Sequence, residues 1–152
     1  MVSTTDLTAY GSGNEQGFYQ IFLNDDNSKN ILYVDYATHQ QVYLCSQPNC
    51  EHDSESCTSW IPPEMGQVNV VTLPDRILLI HNNMTEITYI EQLNLDGSDK
   101  EILYKFEGSV DIANGVAYNG KYIVFKLETY TRDSADNFTN VPSLGAISLE
   151  KK

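Results

Sequence analysis

Basic residues are few in this chain of 152 residues: nine Lys and Arg stand against 21 Asp and Glu, for a net charge of −12, and the nine do not cluster. A nucleic-acid-binding face needs a basic patch to release counterions from phosphate, so that class is excluded. An anionic membrane surface is a poor partner for the same reason. Long apolar runs are also missing, and none approaches the ~20 residues of a membrane-spanning helix. Met1 to Asn14 carries neither the basic start nor the apolar centre of an export signal. Alanine is scarce and no long stretch repeats with helical periodicity, so helices are not expected. The glycine-rich phosphate loops of nucleotide-binding folds are absent as well.

Catalytic constellations are equally thin. His39 falls in an expected hairpin turn and His81 at a strand end, and neither has a nucleophile beside it. Cys50 or Cys57 paired with His52 fails as a protease centre, because neighbouring residues of one loop seldom supply an oriented base and oxyanion donors. Asp25-Asp26-Asn27 and Asp96-Gly97-Ser98-Asp99 lack the distal Glu of an EF-hand and read as turns.

What the chain has is strand-forming material. Ten Tyr, five Phe and many Val and Ile suit a pleated, half-buried surface. Alternating runs at 18–23, 30–36, 41–44, 68–73, 76–81, 88–95, 101–106, 109–113, 116–118, 121–130 and 145–149 are separated by Asn, Asp, Gly and Pro. Asp96-Gly97, Asn114-Gly115 and Asn119-Gly120 are hairpin signals, because Gly takes positive φ without steric cost. Residues 131–140 read as a polar loop. The sequon-like triplets Asn83-Met84-Thr85 and Asn137-Phe138-Thr139 are short patterns with a high chance rate.

The runs recur. Residues 31–44 and 90–104 share one pattern of apolar alternation, polar turn and apolar alternation, and Ala146–Leu149 resembles the start of a third copy, at a spacing of about 55 to 60 residues. Four-stranded antiparallel units of this kind bury their faces by stacking on neighbours. The expected fold is all-β: antiparallel sheets as repeated propeller-like blades, about three of them, a partial propeller. Residues 1–16 read as a flexible N-terminal tail, and 17–152 as the blade array, with units near 17–60, 68–108 and 109–152.

One segment carries metal chemistry. Cys45, Cys50, His52 and Cys57 form a C-x4-C-x-H-x4-C pattern within thirteen residues. Three soft ligands and one borderline ligand in a short loop can close around a structural Zn²⁺, leaving no open position for substrate. A disulfide with one spare thiol and a reduced, unligated loop are the alternatives. Trp60, just beyond the loop, is a candidate ligand-stacking residue or an anchor packed beneath the loop.

Leu32 to Cys57, LYVDYATHQQVYLCSQPNCEHDSESC, resembles blades of extracytoplasmic β-propeller proteins and lipoproteins of gut Firmicutes, and YIEQLNLDGSDKEILYKF is similar to the hairpins of WD40-like bacterial propellers. The resemblance implies a blade fold and an extracytoplasmic location, at the cell surface or secreted, and no defined activity. Propellers close with four blades or more, so a three-blade array is expected to be part of a longer chain, to self-associate, or to be an open sheet or sandwich instead. The expected function is a non-enzymatic binding module for a protein or carbohydrate ligand, with a structural Cys/His loop. The alternative is a piece of a glycan-active propeller enzyme whose catalytic acids lie elsewhere.

Overall fold

Strand formers at alternating positions, punctuated by Asn, Asp and Gly, fold as strands throughout. The computed structural model describes residues 3–5, 11–82, 87–132, 134 and 137–150. Among these, the strands are β1 (Ser3–Thr5), β2 (Gly11–Gly13), β3 (Gly17–Leu23), β4 (Lys29–Asp35), β5 (Gln41–Tyr43), β6 (Trp60–Ile61), β7 (Gln67–Thr72), β8 (Ile77–Asn82), β9 (Tyr89–Leu93), β10 (Glu101–Lys105), β11 (Val110–Tyr118), β12 (Tyr122–Arg132) and β13 (Phe138–Ser148). They make three antiparallel sheets. The N-terminal sheet has the order β2-β3-β4-β5, with β6 also paired to β4. The central sheet has the order β10-β9-β8-β7, and the C-terminal sheet β1-β11-β12-β13.

The all-β expectation therefore holds at the level of three blade-like sheets. The two sequence repeats become equivalent hairpins: β4–β5 and β9–β10 are the last two strands of their sheets. Ala146–Leu149 begins within β13, which pairs with β12 as β9 pairs with β8.

Packing explains the apolar pattern. One buried cluster joins the central sheet to the C-terminal sheet through Leu78, Ile80, Ile90, Ile112, Ile123 and Phe125. A second joins it to the N-terminal sheet through Tyr19, Ile31, Val70, Ile77, Leu79 and Leu93. Odd and even positions of β8 thus face different neighbours, and both faces are covered. That is why Ile77-Leu78-Leu79-Ile80 is continuously apolar, whereas β12 alternates: Ile123 and Phe125 are buried and Tyr122 and Lys126 exposed.

Two turns that could have been cation sites are turns in full detail. Asn24 N–H donates to the Ser28 carbonyl at 2.9 Å and Ser28 N–H to Asp26 Oδ1 at 2.9 Å. Asn94, Ser98 and Asp96 repeat the same two bonds at the same distances. Asn27 (φ 66°) and Gly97 (φ 84°) occupy the same left-handed position, the place where Gly or Asn is favoured.

Three local expectations are corrected. The stretch expected to be a tail contributes two strands: Ser3–Thr5 on β11 and Gly11–Gly13 on β3. Gly11 has no room for a side chain, since an added Cβ would lie 2.5 Å from the Phe18 ring. Asn114-Gly115 does not reverse the chain but sits inside β11, where Ala113 to Gly115 bulge opposite Lys126. The expected 131–140 loop is shorter, because the ladder runs on through Thr131↔Thr139 and Arg132↔Phe138. The Asn83-Met84-Thr85 triplet lies outside the described residues.

Candidate metal centre

The loop that follows β5 returns to the N-terminal sheet through β6, so its two ends are fixed on β4 and β5. Between them the chain is bent by residues in left-handed conformation, Asn49 (φ 57°) and His52 (φ 62°). Non-Gly residues occupy that region at a cost of about 1–3 kcal/mol. The bends bring together all four residues singled out by spacing: the ligand atoms of Cys45, Cys50, His52 and Cys57 lie within 4.8 Å of one another. His52 Nδ1 faces the thiols, 3.2 Å from Cys57 Sγ. All three cysteines are unbridged.

Cys57 is buried and is held by its surroundings. Ser59 Oγ lies 3.1 Å from its sulfur. Asn30, buried in β4, donates from Nδ2 to the His52 carbonyl at 2.9 Å and to Ser59 Oγ at 3.2 Å, and its Oδ1 accepts from Asn24 Nδ2 at 2.7 Å. One buried amide therefore fixes the backbone of one ligand and the hydroxyl that touches another. Tyr43 stacks on the His52 ring with centroids 4.4 Å apart. Such outer partners orient metal ligands.

The Cys45 and Cys50 thiols are pushed in opposite directions. Burial works against the Cys45 thiolate and is outweighed by the Gln47 backbone N–H, the Cys57 and Cys50 thiols and the Thr58 hydroxyl, so Cys45 falls below its ordinary value. Cys50 is pushed up to about 11: a backbone N–H bond at His52 favours its thiolate, but burial and the Cys57 and Cys45 sulfurs prevail. Close sulfurs cannot all ionise without a cation between them. On the solvent side, Asp25, Asp26, Glu51 and Asp53 rim a depression of about 300 Å³ that also includes His52. Its field attracts cations.

A tetrahedral Zn²⁺ with Zn–S near 2.3 Å and Zn–N near 2.0–2.1 Å places its ligand atoms about 3.5–3.8 Å apart, so the observed cluster needs to contract by no more than about 1 Å. Four protein donors fill the coordination shell. The residues present fit a structural metal ion.

Trp60 is half-buried in β6; its backbone N–H donates to the Cys57 carbonyl at 3.1 Å and its indole Nε1 is enclosed without a partner. Its polar edge is turned into the protein rather than offered to a ligand. His39 (φ 56°) is a turn residue whose N–H donates to the Asp35 carbonyl at 2.9 Å.

His81, by contrast, is buried and engaged. Its Nε2 lies 2.8 Å from Glu91 Oε2, and Tyr89 stacks on its ring with centroids 4.2 Å apart. Lys100 Nζ is 3.9 Å from the same Glu91 oxygen and donates to the Trp60 carbonyl at 3.3 Å. Burial pulls Lys100 below its ordinary value, while Glu91 and Cys57 act to keep it charged. Asn30, Ser59, Glu91 and Lys100 were not singled out by sequence. Asn30 alone left a trace there, as a polar residue opening the apolar run NILYV.

A depression of about 500 Å³ holds Asp75, Asp99 and Glu101. Each carboxylate has a partner: Asp75 binds Arg76, Asp99 accepts from Asn94 and Glu101 from Gln92.

Comparison with protein-family models, with curated proteins and with solved structures finds no match to this chain. The likeness to bacterial surface propellers therefore rests on the hairpin and Cys/His patterns of the sequence itself.

Proposed function

We propose that this chain is a non-enzymatic interaction module built of stacked blade-like sheets, in which Cys45, Cys50, His52 and Cys57 hold a structural Zn²⁺. The observation that carries the metal assignment is the convergence of four donors from one loop within 4.8 Å. A disulfide needs two sulfurs. It gives no reason for His52 to adopt a left-handed backbone and turn Nδ1 toward Cys57. The ion would cross-link a long loop whose own apolar anchors are few, and it would supply no open coordination site for chemistry.

Exposed apolar residues support the interaction role. Phe22 and Tyr43 on the N-terminal sheet and Leu144 on the C-terminal sheet stand 46%, 41% and 81% exposed. They are candidates for contact with a protein or carbohydrate partner, with further blades or with a second copy. An extracytoplasmic location belongs to the same proposal and is supported by the sequence resemblance.

Metal analysis of purified protein with a free-thiol count tests the assignment. One zinc per chain, with three thiols that react fully only after chelation, is the expected result. Metal-free protein with one reactive thiol would establish the disulfide instead.

A further inference from the structure

The metal loop belongs to the N-terminal sheet, yet it rests on the central one. The Asp96–Asp99 turn of the central sheet abuts the residue before Cys45: an added Cβ at Gly97 would lie 2.4 Å from the Leu44 carbonyl oxygen. The next residue, Lys100, reaches under the loop. Its ammonium bonds the Trp60 carbonyl at 3.3 Å, and Trp60 in turn bonds back to Cys57 at 3.1 Å. The Lys100 side chain is only 20% exposed.

Charge makes this placement consequential. Three thiolates, a neutral imidazole and a divalent cation sum to one negative charge. Cys57 is 2% exposed, so part of that charge is buried, and a buried charge needs a counter-charge. Glu91, 3.9 Å from Lys100, adds a second negative group on the central sheet.

We infer that Lys100 is the counter-ion of the zinc–thiolate centre, so that metal loading of the N-terminal sheet's loop tightens its seam with the central sheet. This rests on the zinc reading above. Lys100 is a positioning residue that never ligates the metal. Its ammonium balances both the loaded centre and Glu91, while its bond to Trp60 ties the charge to the base of the loop.

The test compares zinc affinity, by competition with a chromophoric chelator, and melting temperature with and without zinc. The proteins are the wild type, Lys100→Met, Lys100→Arg and Lys121→Met. Lys121 is an exposed residue of the turn between β11 and β12, ion-paired to Glu150, so its loss makes the same change in net charge at a turn of a different sheet. Lys100→Met should weaken zinc binding roughly tenfold, the order supplied by a partly screened unit charge at an effective dielectric near 20. The melting-temperature gain on adding zinc should shrink in parallel. Lys100→Arg should retain most of both, and Lys121→Met should match the wild type. Equal melting-temperature losses with and without zinc at unchanged affinity would overturn the inference, as would equal weakening by Lys121→Met. A wild type that binds no zinc would overturn the metal assignment itself.

Discussion

The central sheet has two seams, and they are built from different chemistry. Its seam with the C-terminal sheet is hydrocarbon: Leu78, Ile80 and Ile90 meet Ile112, Ile123 and Phe125, with Phe106 edge-on to Phe125 at 5.8 Å. Two neutral residues of the central sheet also bond across it. Asn82 exchanges two hydrogen bonds with the backbone of Ile112, and the Thr88 hydroxyl donates to the Val110 carbonyl. The seam with the N-terminal sheet has its own apolar cluster, but charged groups and the candidate metal ligands border it. Lys29 reaches the Met65 carbonyl at 2.7 Å, the His81–Glu91–Lys100 chain lies on the central sheet, and the Cys/His loop closes the far side. Hydrocarbon contact is indifferent to pH and metal, whereas thiolates, imidazole and carboxylate respond to both. On the proposed zinc reading, one seam is constitutive and the other conditional.

The largest expected effect attacks the constitutive seam. Phe125 is 2% exposed and fills the space that Gly145 leaves open, where an added Cβ would meet its ring at 2.5 Å. Phe125→Ala should cost about 3–5 kcal/mol, as large-to-small core changes do. Thermal denaturation should show the same loss with zinc or with chelator. A loss that depended on metal would break the distinction between the seams. Next in size is Cys57→Ser. Zinc at about a hundredfold excess over its Kd stabilises a folded-state binder by about 2.7 kcal/mol. That increment should vanish in the variant, while its denaturation in chelator stays near that of the metal-free wild type.

Asn30→Ala comes third. The substitution removes the amide's bonds to the His52 carbonyl, the Ser59 hydroxyl and the Asn24 amide; Ser59 keeps Cys57 and Asn24 keeps Ser28, so the loss should be about 1–2 kcal/mol. Because the same bonds orient two ligands, zinc affinity should fall along with stability. Unchanged chelator competition would reduce Asn30 to a purely structural residue of β4.

How far the sequence reached follows the same division. Local information was legible: alternation marked the strands, and the Asn-x-Asp-Asn/Gly-Ser turns closed as their side chains require. The four ligands were legible because all lie in one short loop. Asn114-Gly115 misled, because a bulge and a turn both use the positive φ that Gly115 adopts at 103°, and only the partner strand decides between them. The β12–β13 ladder outran its apolar pattern, because beyond Leu127 the polar β12 residues Glu128, Thr129, Thr131 and Arg132 pair through their backbone with a β13 stretch that carries no regular alternation. Lys100 was invisible for a different reason. It stands 40 residues from Trp60, and only the stacking of two sheets brings a hairpin-turn lysine under a cysteine loop.

The smallest effect sharpens the comparison through pH. Burial opposes the Glu91 carboxylate, but the hydrogen bond from His81 and the charges of Lys100 and His81 outweigh it, so Glu91 titrates below its ordinary value of 4.5. A carboxylate held below its unfolded value adds stability that is complete above that unfolded value and is lost as pH falls through the folded one. The wild type should therefore weaken as pH drops below about 4.5. Glu91→Gln should be less stable near neutrality by about 1 kcal/mol, the worth of a partly screened charge-assisted bond, and should converge on the wild type in acid. Chelated protein is the right sample, because protonation of thiolate ligands would otherwise add its own acid limb. Chemical denaturation at pH 7 and pH 3 supplies both numbers. A Glu91→Gln gap that persisted at pH 3 would mean that shape and packing, rather than charge, hold this part of the conditional seam.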